Sequence, residues 1–114
     1  MSTLRNHVQL IGNLGEAPQI TNLDSGKKVV RFSLATNEFY KNANGEKVQK
    51  TEWHTIVAWN KTAEIIEKYT GKGKEIGLSG KLKSRSYEKD GITRYVTEIE
   101  ASEILLLGTK NGNQ

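Results

Sequence analysis

Residues 53–71 read Trp53-His54-Thr55-Ile56-Val57-Ala58-Trp59-Asn60-Lys61-Thr62-Ala63-Glu64-Ile65-Ile66-Glu67-Lys68-Tyr69-Thr70-Gly71, and the apolar period changes midway. Up to Trp59 the stretch is rich in β-branched and aromatic residues, which fit a pleated strand. From Lys61 to Thr70 the spacing turns helical, with Ala63, Ile66 and Tyr69 expected on one face. Asn60 is the expected N-cap and Gly71 the stop. No other stretch of the 114 residues reads convincingly as helix, so the rest of the chain must be placed around this one.

Upstream, Val8, Leu10 and Leu14 alternate with polar residues in a first strand over residues 4–14, with Gly12 and Gly15 as bend points. After the turn signal Asp24-Ser25-Gly26, Val30, Phe32 and Leu34 alternate with Arg31, Ser33 and Ala35 in a second strand running to Tyr40. Residues 41–47, centred on Asn44-Gly45, read as a hairpin into a third strand over 48–59. Downstream of the helix, residues 75–87 alternate strictly, and Lys89-Asp90-Gly91 turns the chain into a last strand from Ile92 to about Leu107. Three strands, one helix and two strands predict an all-β OB-fold, a five-stranded Greek-key barrel with its helix between strands 3 and 4. An SH3-like barrel is the structural rival, but it does not normally place a helix there. Residues 1–108 are expected to form one domain, and the polar, Gly/Asn-rich residues 109–114 a disordered C-terminal end.

Composition narrows the chemistry. Seventeen Lys and Arg against 13 Asp and Glu leave a net charge of +4, which favours polyanionic partners. The absence of cysteine excludes disulfides, thiol catalysis and Cys-based zinc sites. No apolar run suits a signal peptide or the ~20-residue span of a membrane helix, so a cytoplasmic protein without membrane association is expected. His7 and His54 are too few for a His-rich metal site, and Glu98 and Glu100 read as solvated strand charges rather than a hydrolytic carboxylate pair. The run Thr70-Gly71-Lys72-Gly73-Lys74 lacks P-loop spacing. A calcium loop around Asn42, Asn44 and Gly45 would need carboxylates where Tyr40 and Thr51 stand. The expectation is a non-enzymatic protein with no cofactor and no metal.

Strand parity then sorts the surface, because residues two apart share a face. In the fourth strand Ile76, Leu78, Gly80 and Leu82 are expected in the core, whereas Ser79, Lys81, Lys83, Arg85 and Tyr87 form a basic stripe ending in a ring. A plain solvated face, with lysines guarding against edge pairing, would look the same. In the third strand Trp53, Thr55, Val57 and Trp59 share a parity, so the chain's two tryptophans point the same way. They either fill a core or build stacking platforms. Polar Lys50, Glu52 and Asn60 favour the platform for Trp53, and for Trp59 both readings stay open. Cations that follow phosphates and rings that stack on bases are what single-stranded nucleic acid requires. Lys81, Lys83, Arg85 and Arg31 are the expected phosphate contacts. Tyr40 adds a ring if a bulge or coiling re-aims it, since it shares parity with Val30, Phe32 and Leu34; Phe39 competes for that role.

Three blocks, residues 6–15 (NHVQLIGNLG), 32–37 (FSLATN) and 51–57 (TEWHTIV), together and in this order, resemble the bacterial single-stranded-DNA-binding protein family, over about residues 4–108. The resemblance implies an OB-fold homotetramer that wraps and protects single-stranded DNA in replication, recombination and repair, in the cytoplasm and with the nucleoid. It implies stacking rings at Tyr40, Trp53, Trp59 and Tyr87; relatives often carry Trp where Tyr40 and Tyr87 stand and Phe where Trp59 stands. Thr55 stands where many relatives have a basic residue, and His54 matches a residue that supports subunit assembly; with His7 it is assigned to the oligomer interface. The family's acidic C-terminal tip recruits replication and repair enzymes. The last acidic residue here is Glu103, so little recruitment is expected of this chain. Two other readings stay open: an OB-fold RNA-binding or primosomal accessory protein, and a protein-interaction module whose aromatics are binding hot spots.

Overall fold

The computed structural model describes residues 3–107; the expected disordered end, 109–114, lies outside them. After a 3₁₀ turn at Thr3–Arg5 come β1 (Val8–Leu14), β2 (Gln19–Asn22), β3 (Lys28–Lys41), β4 (Lys47–Trp59), α1 (Asn60–Tyr69), β5 (Glu75–Lys89) and β6 (Ile92–Leu106). The sheet order β1-β5-β6-β4-β3 is closed by β1–β3 pairing at Asn13↔Ala35 and Leu14↔Leu34. The β4–β6 seam is parallel, at Ile56↔Ile99 and Val57↔Glu100. This is the five-stranded barrel of an OB-fold with its helix between the third and fourth barrel strands.

Leu4 lies in the 3₁₀ turn, so the first strand starts at Val8 rather than at residue 4. Its second half, β2, lies beyond the predicted end. β1 and β2 sit end to end on one edge of β3, with Leu14 opposite Leu34 and Gln19 opposite Arg31. The break between them contains Pro18, which has no N–H to give a ladder. Gly15 N–H still reaches Ser33 O at 2.9 Å before the chain swings out.

The core collects Leu14, Val30, Phe32, Leu34, Ile56, Ile76 and Ile99 from the strands and Ala63 and Ile66 from α1. Tyr69 does not join them and is exposed. Steps of three residues drift about 60° around a helix, so Tyr69 has turned about 120° from Ala63. Asn60 is not the cap either: Trp59 holds that position with extended backbone and no side-chain bond. Asn60 has φ +52 and accepts Lys28 N–H on Oδ1 at 3.2 Å, tying the helix start to β3. An ion pair of 2.6 Å between Lys28 and Glu67 secures the same junction.

Gly12 and Gly80 allow the barrel to close. A Cβ on Gly12 would stand 2.2 Å from Ala35 O, and one on Gly80 2.2 Å from Glu100 O. At Gly80 the β5–β6 register shifts, with Ser79 opposite Glu103 and Gly80 opposite Ala101. Beyond this bulge β5 leaves the barrel, so Leu82, expected in the core, is 49 % exposed. The Asn6 side chain brackets its backbone, accepting Leu82 N–H at 2.9 Å and donating to Leu82 O at 3.1 Å. Two hairpins therefore project from the barrel. The turn of the β3–β4 arm is held by Asn42 Oδ1, which accepts the N–H groups of Asn44 and Glu46. That of the β5–β6 arm turns on Asp90 and Gly91, both at positive φ.

Candidate nucleic-acid interface

The register of β3 against β4 runs unbroken from Val29↔Trp59 to Lys41↔Lys47. Opposite residues share a face, so Arg31, Ser33, Ala35, Asn37 and Phe39 lie on the same side as Val57, Thr55, Trp53, Thr51 and Gln49. That side is the outside of the barrel, because the intervening Phe32, Leu34, Ile56 and Ala58 are buried. The open question of the tryptophans is thereby answered: Trp53 is 62 % exposed and Trp59 38 % exposed, both on the outer surface. The Trp53 ring lies over Gly15, where an added Cβ would come within 2.4 Å of it. A bare glycine backbone thus seats one face of the ring and leaves the other to a partner.

Where the β5–β6 arm leaves the barrel, Arg31, Val57, Trp59, Lys83, Ser84, Arg85, Glu98 and Glu100 line a shallow cleft of about 400 Å³. Its floor is the β4–β6 seam. A smaller hollow of about 120 Å³, bounded by Glu16, Gln19, Arg31, Ser33 and Thr55, continues it toward Trp53. Arg31 belongs to both, so tryptophan, hollow, arginine, cleft and second tryptophan follow one another along one face.

The cleft's charges are paired. Glu98, read from sequence as a solvated strand charge, is only 7 % exposed. Its Oε2 accepts Arg31 Nε at 3.3 Å and Arg85 Nη2 at 3.3 Å, and its Oε1 accepts Arg85 Nε at 3.2 Å. Burial pushes this carboxyl up, but the two arginines outweigh it through hydrogen bonds and charge and hold it below the ordinary carboxylate value. The same bonds raise the Arg85 guanidinium. No pattern along β6 marks Glu98 off from Glu100, since its partners come from two other strands. Lys83 meets Glu100 at 3.6 Å in a more exposed pair.

Tyr87 extends the cleft outward, with the Arg85 guanidinium 5.9 Å from its ring centroid. Lys81 is exposed on the same face of β5, opposite Glu100. Tyr40 is exposed but stands apart: with no register shift to re-aim it, it keeps the parity of Leu34, and Phe39 shares the Trp53 face with Lys47 stacked 4.9 Å from its centroid. Tyr95, an exposed ring opposite Ser86, escaped the sequence reading because its strand has no clean alternation to flag it. His54 also lies on the face away from Trp53, its Nε2 3.0 Å from Thr36 Oγ1, and His7 is exposed just before β1. Trp53, Trp59, Arg31, Lys83, Arg85 and Tyr87 are brought onto one surface; Tyr40, His54 and His7 are not.

Among the described residues no helix is long and apolar enough to cross a membrane, and no group of three or more His, Cys, Asp or Glu is placed to hold a metal.

The model of the single-strand binding protein family matches residues 5–107. Single-stranded DNA-binding protein 1 of Chlorobaculum tepidum is 43 % identical over 108 residues, covering 93 % of this chain and 67 % of that protein. The single-stranded DNA-binding protein of Neisseria meningitidis serogroup A is 43 % identical over 109 residues, covering 95 % and 63 %. The chain thus spans about two thirds of the length of these curated relatives. Among solved structures, a Plasmodium falciparum SSB complex with ssDNA superposes with a TM-score of 0.80 at 37 % identity, covering 90 % of this chain and 95 % of that one.

Proposed function

Because the chain belongs to the single-strand binding protein family, we propose that it binds single-stranded DNA along the outer face of β3 and β4, without regard to sequence and without catalysis. The strand enters over Trp53, passes Ser33 and Thr55, crosses the cleft at Arg31 and Trp59, and leaves over Lys83, Arg85 and Tyr87. Rings stack on any base, and cations follow the phosphates. The observation that carries this reading is that both tryptophans are on the surface, on either side of a cationic cleft, while the core is complete without them. A duplex hides its base faces and is excluded from such platforms. Protection of DNA in replication, recombination and repair, in the cytoplasm with the nucleoid, follows from this mode.

Quenching of tryptophan fluorescence by oligo(dT) tests it, since both reporters lie in the path. Saturable quenching by oligo(dT), with a mixed-sequence duplex failing to compete, is expected. Equal competition by the duplex overturns the mode. Stronger binding of oligo(rU) at the same salt would point to an RNA binder.

The assembly we propose is a homotetramer. Its support is a surface on β1, β5 and β6 away from the cleft, where Ile11 and Leu105 are both more than half exposed on either side of Gly77. Neighbouring exposed apolar side chains mark contact surfaces. Light scattering at micromolar concentration is expected to return four times the chain mass; a monomer mass refutes it.

A further inference from the structure

Arg31 and Arg85 reach the cleft from different strands and meet on one carboxylate, Glu98, which is nearly buried beneath them. Each guanidinium carries five N–H donors, and Glu98 takes one from Arg31 and two from Arg85. The remaining donors belong to half-exposed side chains that line the same cleft as Trp59. Two guanidinium groups around one carboxylate leave a single net positive charge.

We propose that Glu98 converts Arg31 and Arg85 into one phosphate seat, so that the pair takes a single backbone phosphate rather than one each. This rests on the reading that the strand crosses the cleft. A first phosphate neutralises the cluster and accepts N–H groups from both arginines. A second would have to sit beside two anions already matched to two cations. Glu98 acts as a positioning residue: it does not touch DNA, but it orients the guanidinium groups and sets how many phosphates they hold.

Charge arithmetic separates this from two independent contacts. Removing Arg31 leaves a neutral Arg85–Glu98 pair, and removing Glu98 leaves two free cations. Affinity for oligo(dT) is measured by fluorescence over a salt series, with folding checked by circular dichroism. Each single-strand phosphate contact contributes about 0.7 to the magnitude of the log–log slope. Arg31→Ala is expected to lower that magnitude by about 0.7, and Glu98→Gln to raise it by about 0.7. The double variant R31A/E98Q is expected to return to the wild-type slope. An unchanged slope in Glu98→Gln, or a double variant that keeps the Arg31→Ala slope, overturns the proposal.

If the Gln variants do not fold, R31M/R85M/E98L replaces the ionic cluster by apolar side chains of similar size, an exchange that folded proteins often tolerate. One seat predicts a loss of about 0.7 in slope from wild type, and two independent contacts about 1.4. If Arg31→Ala, Arg85→Ala and Trp59→Ala all leave affinity and slope unchanged, the strand does not cross the cleft. In that case the proposed path fails first and the seat with it. Normal losses from all three combined with a 1.4 loss from the triple variant overturn the seat alone.

Discussion

β3 is one unbroken strand of 14 residues, yet its two halves lie in different surroundings. From Val29 to Ala35 it carries buried Val29, Val30, Phe32, Leu34 and Ala35; from Asn37 to Lys41 every residue is exposed, although the ladder with β4 continues to Lys41↔Lys47. β5 repeats the division, buried at Ile76, Gly77, Leu78 and Gly80 and exposed from Lys81 to Lys89. Backbone ladders, with side-chain bonds such as Gln49 and Thr51 to Asn37 and Ser84 to Thr97, therefore carry both strands past the point where the core ends. In the barrel a side chain is chosen by what it packs against. In the arms no side chain is buried, so the rings and cations there are not fixed by core packing.

Mutations that act on one region and spare the other test this division. The largest effect is expected in the barrel: Ile56→Ala removes a fully buried side chain and should cost about 2–5 kcal/mol of stability. Urea titration reads that loss, while the affinity of the remaining folded protein for oligo(dT) should be unchanged. A matching loss of affinity would mean that the regions are not separable.

The converse is Trp53→Ala, with little change in melting temperature because the ring is 62 % exposed on the outer face, where it lies over Gly15. Affinity should fall by about 1–3 kcal/mol, the magnitude general to stacking rings of OB-fold single-strand binders, this family among them. Its salt slope should hardly move. A large drop in melting temperature with affinity retained would return Trp53 to the core.

Within the arm the comparison sharpens to two lysines. Lys81→Ala should lower the magnitude of the salt slope by about 0.7, the step for one phosphate. Lys83→Ala should lower it by less, because Glu100 already holds Lys83 at 3.6 Å. Equal steps would show that this exposed pair does not persist in solution.

The smallest effect concerns acid. The Glu98 carboxyl is held below its ordinary value of 4.5 in the folded protein, so it contributes stability above that pH and loses it as pH falls through the folded value. Urea midpoints taken between about pH 6 and about pH 3 should fall more steeply for wild type than for Glu98→Gln. Parallel profiles would place Glu98, despite its burial, with the solvated charges of the arms.

Much of this was legible beforehand. The alternation of Val30, Phe32 and Leu34, the helical spacing of Ala63 and Ile66, and the Asp90-Gly91 turn all depend on neighbours a few residues away, and the strand and helix boundaries they imply hold within a few positions. The barrel order follows from those elements and their lengths. Parity likewise placed both tryptophans on one face.

Other features depend on contacts between distant parts of the chain. Leu82 keeps the parity of Ile76 and Leu78, and only the bulge at Ser79/Gly80 and the departure of β5 from the barrel put it in water. Asn60 carries a capping side chain, yet the approach of Lys28 from β3 takes its oxygen. Whether the tryptophans lay inside or outside was settled by which face of β4 met Ile99 and Ile66. Composition and local period thus determined the elements and their order, and the basic charge pointed toward polyanionic ligands. Tertiary structure alone decided that Arg31 and Arg85 close on Glu98, because a charge cluster is made by proximity in space, and their separations of 67 and 13 residues from Glu98 leave no periodic trace in the chain.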